Sequence, residues 1–147
     1  ALTLFKPELD KFNPGEHNGT FRGNQLAFVA AKAGLEFMLK ENVEQQAKDS
    51  GEIIKNFIEK EILPLDSRLE YRGIGMIWGI EFEKIPVANF SKLVTAKAFE
   101  NRLIIECAGR KDSVVKIMPP LVIEKEVLLE GLTKLKKAIA ESLAEIK

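Results

Sequence analysis

The run Gly15-Glu16-His17-Asn18-Gly19-Thr20-Phe21-Arg22-Gly23-Asn24 gathers a hydroxyl, a guanidinium, amides and the chain's single histidine between glycines, just before an alanine-rich apolar stretch. Glycine frees the backbone for tight or left-handed turns, and Asn24 has the chemistry to cap the helix that the following residues predict. Backbone N–H groups and the helix dipole favour an anion at such a place. The chemistry open to this loop is therefore the binding of an anion. An ordinary capped turn accounts for the same residues, and the spacing matches no phosphate motif.

The other reactive side chains are fewer. Lys116 is the only charge within Val114-Val115-Lys116-Ile117-Met118. A buried ammonium there needs an anionic partner, whereas strand alternation could equally turn it to solvent. Cys107 is the sole cysteine, which excludes an intrachain disulfide and fits a reducing compartment. It lies in an apolar strand with no second histidine to activate it, so it reads as a buried structural thiol. One histidine, no CxxC and no HxxxH leave only carboxylates to build a metal centre, and no metal is expected. Gly73-Ile74-Gly75-Met76-Ile77-Trp78 begins like a dinucleotide fingerprint, but Trp stands at the sixth position and a strand pattern follows. Those glycines read as bulge or close-packing positions in a sheet.

The elements that must position these groups follow from periodicity. At 147 residues and 46% hydrophobic, the chain can bury a real core. Its 22 basic and 22 acidic residues cancel, which argues against nucleic acid or an anionic membrane as partner. No apolar run approaches the ~20 residues that span a bilayer, and no signal peptide is visible, so the expected location is cytoplasmic. Residues 1–5 form a strand-like apolar run without an initiator Met, as in a piece of a longer protein entered within a sheet.

Residues 24–39 predict a helix whose small residues Ala27, Ala30, Ala31, Ala33 and Gly34 permit close approach, so burial on several sides is expected. Asn42 is the expected cap of a second helix, in which Val43, Ala47, Ile54, Phe57, Ile58 and Ile62 recur until Pro64 stops it. Residues 69–82 alternate as two strands or one long bent strand. A third helix is expected over 91–102, then a hairpin of strands 103–108 and 114–118 around a polar turn. Pro119-Pro120 ends the second of these strands. Leu128, Leu132, Leu135, Ile139, Leu143 and Ile146 mark a long terminal helix from Glu124. From residue 42 the order is α-β-β-α-β-β-α, an α+β fold of helices on a small, mostly antiparallel sheet.

Three ordered landmarks carry a resemblance that covers nearly the whole chain. Thr20-Phe21-Arg22-Gly23-Asn24 with Leu26-Ala27 forms the first, and Tyr71-Arg72-Gly73-Ile74-Gly75-Met76 with Gly79-Ile80-Glu81 the second. The third is Lys116-Ile117-Met118-Pro119-Pro120-Leu121-Val122-Ile123. Together they resemble the class III pyridoxal-phosphate aminotransferases. The longer string from Gly15 to Asn24 is similar in particular to the subgroup that acts on diaminobutyrate and 2-oxoglutarate in ectoine synthesis.

The resemblance implies the C-terminal part of a fold-type-I subunit. Residues 1–41 would end the large domain, with a cofactor-phosphate loop and an interface helix; residues 42–147 would form the small C-terminal α+β domain. It implies pyridoxal 5'-phosphate as cofactor, amino-acid and 2-oxo-acid substrates, and a homodimer with a site shared across subunits. Thr20 matches the threonine that reaches the cofactor phosphate of the other subunit, while Asn24 braces the loop. The family's Schiff-base lysine is expected shortly before residue 1. No lysine here matches its motif, so no catalytic residue is assigned and the chain alone is expected to be inactive.

Two departures bear on substrate. Many relatives have Arg where this chain has Lys116, and a point charge does not reproduce a planar bidentate clamp. Many have a small residue where this chain has Arg22, which is assigned an anion contact near the site mouth. Other terminal-amine donors such as ornithine or 4-aminobutyrate stay open, as does a non-enzymatic α+β module that binds a small ligand or mediates oligomerisation.

Overall fold

The computed structural model describes residues 3–146, and the chain forms two compact units that divide after Asn42. The start of the strand-like opening run, Ala1 and Leu2, lies outside the described residues. Residues 3–5 take no regular structure, because a strand needs a backbone partner and the first unit holds no other strand among its described residues.

In the first unit a short 3₁₀ turn at Pro7–Leu9 precedes the loop, and α1 runs from Gln25–Lys40. Asn24 caps it, its Oδ1 accepting the Ala27 N–H at 2.9 Å. The expected burial of this helix is not met within the chain: every described residue up to Asn42 is exposed, with Leu26 at 81% and Leu39 at 83%. A helix apolar on several sides needs neighbours on several sides, and this short unit has no second layer to supply them.

The second unit opens with α2 (Val43–Phe57), extended by a π-helical turn at Ile58–Ile62 and a 3₁₀ turn at Leu63–Leu65 that contains Pro64. Asn42, the expected cap, instead takes a left-handed conformation with φ 50°, which asparagine tolerates better than most residues. Strands β1 (Glu70–Ile74) and β2 (Ile77–Glu81) form an antiparallel hairpin in which Tyr71 faces Ile80 and Gly73 faces Trp78. Helix α3 (Phe90–Glu100) leads to β3 (Glu106–Ala108), shorter than the expected strand, and β4 (Val114–Ile117). Helix α4 (Lys125–Glu145) closes the chain. The four-stranded sheet has the order β1-β2-β4-β3 with every pair antiparallel.

Alternation assigns the two faces of the sheet. Trp78, Ile80, Val115 and Ile117 point inward and meet Ile54, Ile58, Ile62, Val94, Leu132, Leu135 and Ile139, all buried. Each such side chain contributes roughly 1.5–3 kcal/mol by leaving water. Of the two glycines read as bulge or close-packing positions, Gly73 is close-packed, while Gly75 lies in the turn with φ 54° and open space where a Cβ would stand. A Cβ on Gly73 would sit 2.4 Å from the Ile77 carbonyl oxygen and 2.4 Å from the Trp78 ring, and one on Gly51 would sit 2.4 Å from the Gly75 carbonyl oxygen. That oxygen accepts the Trp78 Nε1–H at 2.7 Å, so the indole is both clamped and satisfied. The register places Arg72, Gly79, Lys116 and Glu106 in one row across the opposite, outer face.

Candidate functional site

The loop before α1 is built from two turns. In the first, Pro14 presets one central position and Gly15 takes φ 89° at the next, while the Glu16 N–H donates to the Asn13 carbonyl at 3.1 Å. The Glu16 carboxylate accepts the Asn13 backbone N–H at 2.7 Å and its Nδ2–H at 3.0 Å. The side-chain bond from Asn13, then its backbone bond, hold this carboxyl below the usual carboxylate range. The one acid in the motif is thus occupied within its own turn.

In the second turn the Arg22 N–H donates to the Gly19 carbonyl at 3.0 Å, which leaves Thr20 and Phe21 at the two central positions. Gly23 follows with φ 73°, a value that favours glycine, and delivers the chain to the Asn24 cap. Thr20 is exposed, and among the described residues neither its hydroxyl nor its N–H has a hydrogen-bond partner.

Arg22, itself exposed, folds back onto the loop. Its Nη1–H donates to the His17 carbonyl at 2.5 Å, and Nη2 lies 2.7 Å from His17 Nε2. A guanidinium only donates, so Nε2 accepts and a neutral His17 carries its proton on Nδ1. The His17 ring also lies against Phe12, with ring centroids 4.8 Å apart. An open groove of about 1050 Å³ runs along the loop and α1, lined in part by Phe12, His17, Arg22, Asn24 and Phe28. The loop is rich in donors and its carboxylate is occupied, so the group it suits is a multiply charged oxyanion such as a phosphate.

Lys116 belongs to the second unit, where its side chain is 30% exposed and pairs with Glu106 directly opposite on β3. It lies between the two readings open from sequence: alternation turns Lys116 to the outer face, where it is half-buried beside an exposed partner. The pair lies on a groove of about 490 Å³, also lined by Arg102, Met118, Val127 and Lys134. Lys134 is itself bonded to Glu130 at 2.6 Å. Arg102 has φ 61° at the end of α3. Its N–H donates to Phe99 and the Leu103 N–H to Ala98, the Schellman arrangement in which glycine is usual. Cys107 is half-buried rather than fully buried, its Sγ 3.8 Å from Thr95 Oγ1.

The structure therefore joins Thr20 and Arg22 in one turn and gives Lys116 a partner of its own. Sequence reasoning missed Glu106, the occupied Glu16 and the His17–Arg22 contact. The first follows from hairpin register, which the irregular 109–113 connection conceals. The other two depend on turn geometry, of which Pro14-Gly15 was the only visible sign.

The aminotransferase class-III family model matches residues 5–139, and the chain belongs to that family. Among similar proteins, a diaminobutyrate–2-oxoglutarate transaminase of Wolinella succinogenes is 45% identical over 99% of this chain and 34% of its own length. One of Streptomyces coelicolor is 43% identical over 97% of this chain and 34% of its own length. The chain thus spans about a third of the length of the curated relatives it matches. Among solved structures, the ornithine aminotransferase from Toxoplasma gondii superposes with a TM-score of 0.79 at 25% identity, covering 90% of this chain and 31% of that one. An acetylornithine aminotransferase from Elizabethkingia anophelis gives 0.75 at 29% identity, covering 88% and 33%. The α+β architecture read from the sequence is thus shared with solved aminotransferases. No helix of the described residues is long and apolar enough to cross a membrane.

Proposed function

We propose that this chain is the C-terminal part of a cytoplasmic aminotransferase that moves the terminal amino group of L-2,4-diaminobutyrate to 2-oxoglutarate, giving aspartate semialdehyde and glutamate, as in ectoine synthesis. Residues 1–41 end the large domain and residues 42–147 are the small C-terminal domain. The observation that carries the reading is the Thr20 turn: a hydroxyl and a main-chain N–H without partners among the described residues, between glycines, ahead of a capped helix. The choice of diaminobutyrate rests on the relatives that bear that name.

In the full protein the cofactor is pyridoxal 5'-phosphate, which when bound supplies an electron sink for the carbon that exchanges its amino group. The residues of this chain bind and orient. Thr20 donates its hydroxyl and N–H to the cofactor phosphate across a homodimer interface, and α1, apolar and exposed on several sides, forms part of that interface. Arg22 uses two of the five guanidinium donors on His17, and the others serve an anionic substrate near the mouth of the site. Lys116 meets a substrate carboxylate as a point charge, in competition with Glu106.

The test is spectral titration of the purified full-length protein with pyridoxal phosphate, followed by borohydride reduction. Covalently retained cofactor is the expected result, and its absence contradicts the reading. The 147 residues alone are expected to carry out no transamination.

A further inference from the structure

We infer that His17 is a positioning residue: it acts through Arg22 to hold the Gly19–Arg22 turn in the form that leaves the Thr20 donors free. Three contacts build the device. The guanidinium spans the loop to reach both the carbonyl and the ring nitrogen of His17, at 2.5 and 2.7 Å. The Arg22 backbone N–H closes the turn on Gly19 at 3.0 Å. The Arg22 stem lies across Gly19, where an added Cβ would meet its Cγ at 3.4 Å and its Nε at 3.5 Å. Arg22 therefore holds the loop at residue 17, along its own stem over residue 19, and at its backbone.

The imidazole contributes an acceptor and the carbonyl contributes another, so the charged guanidinium is bonded twice from a single residue. The residues between them, Asn18 to Phe21, are confined without using the hydroxyl or N–H of Thr20. Phe12 packs against the His17 ring as a tilted contact with 4.8 Å between ring centroids. Without this brace the exposed, glycine-containing loop samples many conformers, and a ligand must order it on binding. With it, the ordering is done beforehand.

The proposal rests on the reading of Thr20 as a phosphate contact, and the test separates the two. In the full-length protein freed of cofactor, hydrogen exchange of a peptide spanning residues 13–28 is followed in His17→Phe, His17→Gln, Arg22→Ala and the double variant His17→Phe/Arg22→Ala. Phe keeps the ring and loses the acceptor, while Gln keeps an acceptor. Severalfold faster exchange is expected in His17→Phe and in Arg22→Ala, with no further increase in the double variant and near-parental rates in His17→Gln. If His17→Phe accelerates exchange equally with and without Arg22, His17 does not act through Arg22 and the inference fails; unchanged exchange in either single variant also overturns it. The dissociation constant for pyridoxal phosphate should then rise about tenfold in His17→Phe, Arg22→Ala and the double variant, the scale of losing one charge-assisted hydrogen bond, and stay near the parental value in His17→Gln. Coupled exchange together with an unchanged dissociation constant in Thr20→Ala would keep the brace and reject Thr20 as the phosphate contact.

Discussion

Thr20 stands at the centre of a turn with nothing among the described residues to bond, while the neighbouring polar groups are occupied: Glu16 by Asn13, Arg22 by His17, Asn24 by the first turn of α1. That contrast gives the residue its assigned role. Replacing Thr20 by Ala in the full protein should raise the dissociation constant for pyridoxal phosphate by about tenfold or more, since a hydrogen bond to a charged group is worth roughly 1.5–3 kcal/mol. Thr20→Ser should retain most of the affinity. Fluorescence titration of the cofactor-free protein checks both, and equal affinities for Ala and Thr would remove Thr20 from the site. At this scale the sequence was informative where the signal is local. The Asn24 cap and the glycines at 15 and 23 could be read directly, because each acts within a few residues of itself. The Glu106 partner of Lys116 could not, because it depends on how two strands are registered across an irregular loop. Nor could the return of Arg22 onto His17, which only the turn geometry determines.

The hairpin β1–β2 shows how an element rests on single atoms. Gly73 has the Trp78 ring where its side chain would be, so Gly73→Ala forces either the indole or the β2 backbone to move. Overpacking of this kind costs about 1–3 kcal/mol, and the urea midpoint should fall accordingly; an unchanged midpoint would show that the clamp yields freely. On the outer face of the same hairpin, Glu81 is 13% exposed and pairs with Arg72 at 3.2 Å. Desolvation pushes its carboxyl upward, but hydrogen bonds from Ser113, Arg72 and the Glu83 N–H, with the charge of Arg72, prevail and hold it below the ordinary 4.5. A carboxyl depressed in the folded state adds stability that is present above the unfolded value and is lost as pH falls through the folded one. Lowering the pH from about 6 to about 3 should therefore cost the parent more than Glu81→Gln in urea unfolding; equal losses would exclude Glu81 as a contributor. The elements of the second unit were legible because period-2 and helical spacing coincide with burial there: Met76, Trp78, Ile80 and Phe82 are all in the core, as are Leu128, Leu132, Leu135 and Ile139. The burial of α1 was misread for a related reason. Its composition demands neighbours, but composition does not say whether the chain itself provides them.

At the scale of the molecule, the two units carry different parts of the proposed chemistry. The first presents the phosphate loop and the exposed apolar helix, and the second supplies a packed α+β body with Lys116 and Glu106 on one sheet face. The family was legible because three short landmarks occur in order along the chain, whereas no single one of them would have sufficed. Substrate choice was legible only through the longer loop string and the names of relatives, since the groups that would contact substrate, Arg22 and Lys116, are engaged by His17 and Glu106 and carry no shape of a particular amine. The most direct measurement is therefore a comparison of amine donors for the full-length protein with pyridoxal phosphate and 2-oxoglutarate, following glutamate formation. The account predicts the highest kcat/KM with L-2,4-diaminobutyrate and aspartate semialdehyde as the co-product. A higher kcat/KM with ornithine or 4-aminobutyrate, or no glutamate from diaminobutyrate, would contradict it.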